Sequence, residues 1–465
     1  MSPGNENVGF GFGCMNSGIL VWEAKFFLFA ELRNTMADIS SAEIQSAMRL
    51  GSGRDIYYYT RDTLHKQSIP TIVDNRFLQA LNNLQQGSST FIISVDQGIS
   101  DVMFAAKLPA AGGGVNYTNL ALPRGWLYQL MNRLSVRYAG SSQYFWTGGQ
   151  VLIENLREMP NPETRDQLFA LGGAAMNDSV DYPFSGDNLY AYAYLNLPHC
   201  SPNGSLMKPN PFPSELLNQP IVITLELNAI SSIFSSGVAA GSLAGAPTSL
   251  DTAWFQVKQV HAKDRGELMV APADRSKAYS FPSKAFYQNE ITISLSGQTT
   301  YTPLLTGFRN GQVRSIIMWI TKDSDTAPAT NAPFAKNFTN FVLPHDIQLL
   351  YNGTVYYRAD GTSSQFWNLV STETPSQITT TVLAPAGAGA DLTLTPSLAN
   401  WVEIPFSQVF EQLSGSHMYV SGMQIQNSIV NTQLTLPDTA AYTLHVMYSY
   451  NCVMMVQGGS CEYVF

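Results

Sequence analysis

The sequence predicts a mainly β protein made of two consecutive domains, each a sandwich or a jelly roll. The chain has 465 residues, whereas a single hydrophobic core stops growing at roughly 250–300 residues. Short alternating segments separated by turn residues, with few helices, are typical of sandwiches and jelly rolls. A β-rich segment in which small residues and an aromatic residue (Trp254, Tyr442) precede a single histidine (His261, His445) occurs twice, at residues 252–270 and 440–456. This repeat suggests that each domain ends in a similar closing strand.

The composition leaves two classes of protein open. Hydrophobic residues make up 45% of the chain and charged residues only 13%, against about 25% charged in an ordinary soluble protein. A secreted β protein would fit these values. A protein that hides much of its surface in permanent contacts would also fit, because the cores of interfaces are depleted in charge.

Charge and hydropathy argue against direct nucleic-acid binding and against a membrane-spanning helix. The net charge is −9, and the richest basic stretch, residues 258–265, also contains Asp264. A protein that binds nucleic acid directly needs a basic surface, so direct nucleic-acid binding is not expected. No apolar run reaches 18 residues, so no membrane-spanning helix is expected. The apolar window at residues 19–32 lacks the basic start and cleavage site of a signal peptide.

The first 35 residues differ from the rest of the chain. Met36 begins a segment that resembles a natural protein start, so we expect residues 1–35 to be an upstream extension outside the folded body. The alternative interpretation is a mobile arm.

A base helix is predicted at residues 40–50. Ser40 and Glu43 have the spacing of a capping box, and Gly51 is a suitable stop. One apolar stripe of this helix is predicted to be an assembly interface, and it consists of Ile44, Ala47 and Met48. A cap on the first domain is the alternative role for this helix.

Elsewhere the periodicity of apolar residues predicts one further amphipathic helix and many strands. The helix is expected at residues 74–87, where apolar residues recur at helical spacing at Phe77, Ala80, Leu81 and Leu84. Alternation with a period of two predicts strands at residues 91–95, 190–194, 220–227 and 430–436. Residues 315–321 form a continuous apolar run, as expected for a strand that is buried on both faces.

Gly-, Ala-, Pro- and Ser-rich stretches are predicted to be exposed loops, at residues 109–114, 235–249, 326–333 and 384–390. The best domain boundary is residues 271–277, directly after the first closing strand. The predicted organisation is an N-terminal extension with the base helix (1–55), a first domain (56–270), a linker (271–277) and a second domain (278–465).

No catalytic, cofactor or metal site is predicted, and the chain is not expected to be an enzyme. The glycines at residues 9–13 are not followed by a helix start, and no nucleophile elbow or phosphate loop occurs. The six histidines are scattered, and the carboxylates of Glu154 and Glu158 are most simply solvated. The four cysteines are expected to be free thiols, with a bridge between Cys452 and Cys461 as the alternative.

Several segments, in order, resemble the double jelly-roll major capsid proteins of large icosahedral double-stranded DNA viruses, the lineage of the iridovirus-type coat proteins and adenovirus hexon. The resemblance runs from about residue 88 to the C-terminus. It covers an early hairpin, the strand before Glu154, a strand ending in Leu-Pro, the two closing strands and, in the second half, two segments similar to the family's Leu-x-Leu-Asn-Gly strand and its Arg-to-Phe-x-Asn-Leu stretch. These lie at residues 89–108, 134–156, 188–227, 254–270, 313–321, 347–369 and 448–458.

The resemblance implies two consecutive eight-stranded antiparallel jelly rolls with a few short helices. It further implies a homotrimer that forms a pseudo-hexagonal capsomer in a virion shell. The expected partners are neighbouring capsomers and penton and minor capsid proteins, and the presence of an internal membrane beneath the shell is left open. No cofactor is implied.

Two other functions remain open from the sequence. A lectin-like protein could stack sugars on aromatic side chains, for which Tyr190, Tyr192, Tyr194 and Trp367 are the candidates; the same side chains also suit a sandwich core. A cupin-type enzyme would need clustered histidine and glutamate residues, and the sequence lacks such a cluster.

Overall fold

The structure is a computed structural model of the 465-residue chain. It describes residues 71–81, 84–94, 98–139, 144–157, 170–174, 176–177, 184–195, 197, 212–236, 243–262, 279–282, 286–287, 291–309, 311–323, 342, 344–360, 377–380, 397–406, 422–425, 428–450 and 453–464. The predicted base helix with Ile44, Ala47 and Met48, the extension at 1–35 and the linker at 271–277 lie outside these residues.

Twelve described strands precede residue 263. They are β1 (Thr71–Ala80), β2 (Gly87–Ile93), β3 (Gly98–Lys107), β4 (Leu120–Leu122), β5 (Met131–Arg137), β6 (Tyr144–Trp146), β7 (Met176–Asn177), β8 (Tyr190–Leu195), β9 (Phe212–Pro213), β10 (Ile221–Leu227), β11 (Ser235–Ser236) and β12 (Thr252–Ala262).

Sixteen described strands follow residue 278. They are β13 (Tyr279–Pro282), β14 (Phe286–Tyr287), β15 (Ile291–Leu295), β16 (Thr300–Tyr301), β17 (Leu304–Leu305), β18 (Gln312–Lys322), β19 (Asp346–Tyr351), β20 (Thr354–Asp360), β21 (Gln377–Thr380), β22 (Ser397–Asn400), β23 (Val402–Pro405), β24 (Met423–Gln424), β25 (Val430–Thr435), β26 (Tyr442–Tyr450), β27 (Val453–Gln457) and β28 (Ser460–Val464).

Helices are short and few among the described residues. Two α-helices have both ends within the described residues, α1 (Trp126–Leu130) and α2 (Gly148–Arg157), and Ala170 and Leu171 are also helical. Three 3-10 helices lie at Gly186–Leu189, Ser214–Leu216 and Ile230–Ile233. The predicted mainly β class with a few short helices is confirmed.

The described strands form two jelly rolls with the same topology. In the first roll, sheet 1a has the order β1-β12-β3-β8 and sheet 1b the order β2-β10-β5-β6. In the second roll, sheet 2a has the order β14/β15-β26-β18-β23 and sheet 2b the order β16/β17-β25-β19-β20. The eight principal strands of the first roll are β1, β2, β3, β5, β6, β8, β10 and β12, and those of the second are β14/β15, β16/β17, β18, β19, β20, β23, β25 and β26. When these are numbered 1 to 8 along the chain, the two sheets of each roll have the strand orders 1-8-3-6 and 2-7-4-5. This antiparallel double-sheet arrangement is that of a jelly roll.

The two closing strands predicted from the sequence repeat occupy equivalent places. β12 lies between β1 and β3, and β26 lies between β15 and β18. The matched aromatic residues, however, lie on opposite faces of their sheets. Trp254 is partly exposed between the buried residues Ala253 and Phe255, whereas Tyr442 is buried on the core side with Leu444. The repeat therefore identified the correct strands, but it did not predict which residues of each strand point toward the core.

Aromatic rings join the two sheets of the first roll. Phe91 of sheet 1b stacks on Phe255 of sheet 1a, with ring centroids 4.7 Å apart, and Phe255 also contacts Phe104 at 5.5 Å. All three rings are buried. Offset aromatic stacking of this kind adds about 0.5–1.5 kcal/mol to the burial of the rings, so these contacts help to hold sheet 1a against sheet 1b.

Alternating strands fill the cores as predicted. Along β10 the apolar residues Ile221, Ile223, Leu225 and Leu227 are buried and the residues between them are half-buried. β25 repeats this pattern with Val430, Thr432 and Leu434. The run Ser315–Thr321 in β18 is buried throughout, so the prediction of a strand covered on both faces is confirmed.

The predicted helix at residues 74–87 is wrong: this segment contains strand β1 and the start of β2. β1 pairs with β12 from Thr71↔Ala262 to Ala80↔Trp254, with a register shift between Asp74 and Phe77. Leu81 is buried, and its N–H donates to Ala253 O. Long-range pairing with the closing strand satisfies the backbone here, and such tertiary context overrides local helical spacing.

A C-terminal hairpin connects the second half of the chain to the first roll. β27 and β28 pair with each other, and β27 also pairs with β13. Cys461 N donates to Ala139 O at 2.7 Å, and Asn218 N donates to Gly459 O at 2.9 Å. Cys461 is a free, buried thiol, in agreement with the expectation of free cysteines. Burial raises the pKa of the Cys461 thiol to about 12, and the neighbouring charge of Glu462 adds to this shift.

We predict that Gly173→Ala destabilises the first roll by about 3 kcal/mol or more. Gly173 has φ +122°, and a Cβ there would overlap the buried indole of Trp126. Left-handed backbone costs a non-glycine residue about 1–2 kcal/mol, and overpacking adds about 1–3 kcal/mol. Scanning calorimetry of the variant should show a lower melting temperature.

The matched control is Gly186→Ala. Gly186 has φ +58°, and a Cβ there meets nothing within 4 Å, so only the backbone cost of about 1–2 kcal/mol applies. Equal melting temperatures for the two variants would show that Gly173 is not needed for the packing of Trp126.

We predict that the Cys461 thiol reacts with an alkylating reagent at pH 8 at least ~100-fold more slowly in the folded protein than in urea. The raised pKa keeps the thiol protonated, and the thiolate is the reactive form. The Cys461 peptide should be quantified by mass spectrometry after quenching. Equal rates in the folded and unfolded protein would contradict a hairpin packed on the first roll.

Candidate assembly surfaces

The described residues offer no metal site and no membrane-spanning helix. No group of three or more His, Cys, Asp or Glu side chains within the described ranges could hold a metal ion. None of the helices in the described part is long and apolar enough to cross a bilayer. The outer faces of the sheets carry exposed or partly exposed aromatic and apolar side chains among the described residues.

The first of these surfaces is the aromatic face, which we define as Tyr190, Tyr192 and Trp254 on the outer side of sheet 1a. The Ala-Tyr alternation of β8 buries Ala191 and Ala193 in the core and turns the three tyrosines of the strand outward, where each is partly exposed. Tyr194 continues the same row. The prediction that the three phenols lie on the same face of the strand is confirmed, and this face is the outer one, not the sandwich core. Trp367 lies outside the described residues.

Strand register brings the rings of the aromatic face together. Trp254, Ala105 and Tyr192 lie side by side on β12, β3 and β8. The ring centroids of Tyr190 and Tyr192 are 6.4 Å apart and nearly parallel, and the ring of Trp254 stands edge-on to both at 6.4 Å. Ala105 is fully buried beneath them, because its small side chain leaves room for the larger rings on either side.

One ion pair borders the aromatic face. Lys107 Nζ lies 2.8 Å from Asp251 Oδ2 and 5.4 Å from the centroid of the Tyr190 ring. The hydrogen bond with Asp251 raises the pKa of Lys107, and burial raises the pKa of Tyr192. The face therefore presents the neutral phenol of Tyr192 near a paired lysine, a mixture suited to a partner with both apolar and polar groups.

The corresponding outer face of sheet 2a is covered. Ile317 and Met447, which lie opposite each other on β18 and β26, are fully buried on this outer side. Trp319 is also buried and stacks on His445, with centroids 5.2 Å apart and an interplanar angle of 2°. Thr321 Oγ1 and His445 Nε2 are hydrogen-bonded at 2.8 Å.

Helix α2 of the first roll lies beside this face. A Cβ placed on Gly149 would lie 3.8 Å from Trp319 Cζ2, so the first turn of α2 is a neighbour of the indole. The helix is buried on several sides: Gln150, Glu154 and Asn155 are all at most 1% exposed. Gln150 Nε2 donates to Glu154 Oε1 at 2.8 Å, and Asn155 Nδ2 donates to Tyr194 O at 2.9 Å. Glu154 is therefore not a solvated carboxylate, which corrects the expectation from sequence.

A second exposed surface, the apolar row, lies on the outer face of sheet 2b. Leu304, Asn431, Leu350 and Val355 are neighbours across β17, β25, β19 and β20. Leu304 and Val355 are 52% and 50% exposed, and the nearby Ile429 is 62% exposed. No sequence pattern predicts this row, because its members come from short, separate strands and meet only through register.

Two solved structures with TM-scores above 0.5 support the fold. No protein-family model matches the chain, and no curated protein sequence matches it. The structure of VP54 from the virus PBCV-1, fitted into a cryo-EM reconstruction of the virophage Sputnik, matches with a TM-score of 0.53 and 11% identity over 85% of this chain and 97% of that one. A quasi-atomic model of the PBCV-1 virus capsid gives the same values. The crystal structure of the mavirus major capsid protein matches with a TM-score of 0.44 and 10% identity over 85% and 91% of the two chains.

The strand orders of sheets 1a, 1b, 2a and 2b and the likeness to the PBCV-1 structures lead to the same result. This chain has two consecutive jelly rolls and shares its fold with VP54 of PBCV-1.

Proposed function

We propose that this protein is a non-enzymatic capsid protein of the virion shell, in which three copies form a pseudo-hexagonal capsomer. The observation that carries the proposal is the repeated topology, with two rolls of identical strand order in one chain. Three such chains supply six similar wedges, and closed cyclic symmetry completes a block without open ends. The likeness to the PBCV-1 capsid structure supports this role.

The surfaces of the described rolls are suited to permanent assembly. The aromatic face and the apolar row both place large side chains on outer sheet faces. Exposed apolar patches on soluble proteins commonly mark protein–protein contacts. The low content of charged residues, 13% of the chain, agrees with surfaces that are largely covered in an assembly.

The domain organisation inferred from sequence belongs to this proposal. Among the described residues, each strand pair joins strands of the same half of the chain, which supports a first domain at 56–270 and a second at 278–465 joined by a linker at 271–277. In the shell, the base helix at 40–50 would contact an inner layer or a neighbouring capsomer through Ile44, Ala47 and Met48. Penton proteins, minor capsid proteins and an internal membrane are the further partners of such a shell.

We predict that the purified full-length protein has a native mass three times that of the 51.0 kDa chain and forms hexagonal arrays at high concentration. Light scattering coupled to size-exclusion chromatography measures the mass, and negative-stain electron microscopy reveals the arrays. A protein that stays monomeric up to its solubility limit would contradict the proposal.

We predict that the triple variant Ile44→Asp, Ala47→Asp, Met48→Asp keeps the trimeric mass but forms hexagonal arrays poorly, because three charges on the apolar stripe oppose contacts between capsomers. The control carries Gln45→Asp and Ser46→Asp on the polar side of the same predicted helix. Normal arrays from the triple variant would remove this helix from the assembly interface.

A further inference from the structure

We infer that the hairpin of β27 and β28, residues 453–464, is a clasp that fastens the second roll to the first and makes the two rolls unfold as one unit. Domains that are joined only by a linker are expected to move relative to each other, whereas a packed connection between them holds one arrangement. The inference concerns contacts within a single chain, so it goes beyond the proposed capsomer and does not depend on it.

The second half of the chain supplies one attachment of the clasp. β27 begins only two residues after β26, the closing strand of the second roll. It pairs with β13 over four residues and with β28 over five, so it is the central strand of a three-stranded sheet in which β28 is an outer strand. The clasp is therefore held to the second half of the chain by strand pairing as well as by chain connection.

The first roll supplies the other attachment, through two loops at one end of sheet 1b. β5 ends where β10 begins, because the two strands are antiparallel neighbours. Ala139 follows β5, and its carbonyl oxygen accepts a hydrogen bond from Cys461 N at 2.7 Å. Asn218 precedes β10, and its N–H donates to Gly459 O at 2.9 Å. The clasp thus contacts the first roll at two points that belong to different loops.

One face of the clasp is buried. Met454, Val456 and Cys461 are each 1% exposed, and Val456 lies opposite Cys461 in the hairpin. The residues that alternate with them are half-buried or exposed. On the first roll, Tyr138 precedes the acceptor Ala139 and is fully buried. A segment that follows the closing strand is commonly loose unless it is tied down, and the burial of one face indicates that this hairpin is packed.

The turn of the clasp approaches the first roll too closely for a side chain at one position. Gly459 has φ +83°, and a Cβ built there would lie 2.7 Å from Asn218 Cβ and 3.1 Å from the Asn218 backbone N. The neighbouring Gly458 has φ +58°, and a Cβ there meets nothing within 4 Å. The backbone favours glycine at both positions, but only at Gly459 does the first roll leave no room for a side chain.

The test compares Gly459→Ala with the matched control Gly458→Ala in the full-length protein. Both substitutions strain the turn, but only Gly459→Ala forces the clasp away from Asn218. Opening of the clasp is measured under native conditions by alkylation of Cys461, because the buried thiol reacts only when it becomes exposed. We expect the rate to be at least ~10-fold higher in Gly459→Ala than in Gly458→Ala. Equal rates would overturn the clasp.

A second variant separates contact with the first roll from strain within the turn. Asn218→Gly removes the Cβ and Cγ atoms that a side chain at position 459 would meet at 2.7 and 2.9 Å. Combined with Gly459→Ala, it is expected to lower the alkylation rate of Cys461 at least ~3-fold, and the single variant Asn218→Gly completes the double-mutant cycle. An unchanged rate would attribute the opening to the turn alone and would overturn the clasp.

Coupling between the rolls is measured by hydrogen exchange at peptide resolution in increasing urea, with β10 reporting on the first roll and β25 on the second. In the wild type and in Gly458→Ala, both strands should lose protection at the same urea concentration. In Gly459→Ala, the two midpoints should separate by at least ~0.5 M.

Two results would overturn the coupling. The first is separate midpoints in the wild-type protein. The second is coincident midpoints in Gly459→Ala although Cys461 is alkylated faster, which would assign the coupling to the neighbouring helix α2 and Trp319. None of these measurements uses the native mass of the protein, so the proposed capsomer is tested separately.

Discussion

Each roll depends on its last principal strand, which is inserted between the first and third strands of one sheet. β12 supplies hydrogen-bond partners to both β1 and β3, and β26 does so for β15 and β18. Without the inserted strand, two neighbours would lose their backbone partners in the middle of a sheet, and unpaired buried backbone groups are costly. The closing strand must also carry apolar residues inward, as Phe255 and Leu444 do. The aromatic contact of Phe255 with Phe91 then ties one sheet to the other.

The same topology is used with two different outer surfaces. On β18, Ile317 and Trp319 are apolar on the outer side and are buried, and the first turn of helix α2 lies beside Trp319. On the equivalent strand β3, Ala105 is small and Lys107 is paired with Asp251, so the outer side relies on the rings of the neighbouring strands. The fold thus fixes the positions of both faces, whereas the side chains determine which face is buried within a single chain. This distinction separates the architecture of the rolls from the way in which they would assemble.

Sequence patterns predicted the strands well wherever burial alone decides the pattern. The alternation in β10 and β25 and the apolar run in β18 were correct because each strand faces a core on at least one side. The segment at 74–87 was predicted to be a helix because Phe77, Ala80 and Leu81 match helical spacing; only its pairing with β12, nearly 180 residues away, makes it a strand. Local spacing cannot reveal a partner at such a distance.

The surfaces were harder to predict than the strands. The common facing of Tyr190, Tyr192 and Tyr194 follows from alternation, but their meeting with Trp254 depends on the register of three strands. The apolar row around Leu304 and Val355 depends on the register of four strands. The helical stripe with Ile44 remains a prediction, since it lies outside the described residues. Register is a property of the folded sheets, so surfaces that cross strands cannot be obtained from one strand at a time.

The inserted closing strand has a consequence for the order of events during synthesis. Translation proceeds from the N-terminus, and domains generally fold as they emerge. Sheet 1a cannot be completed until β12 has left the ribosome, and sheet 2a must wait for β26, almost two hundred residues later. During that interval a finished first roll would be tethered to a nascent second one whose β15 and β18 still lack the strand between them. A chaperone or an already folded neighbour that shields those open edges would therefore have the greatest effect on the yield of correctly folded protein in this interval.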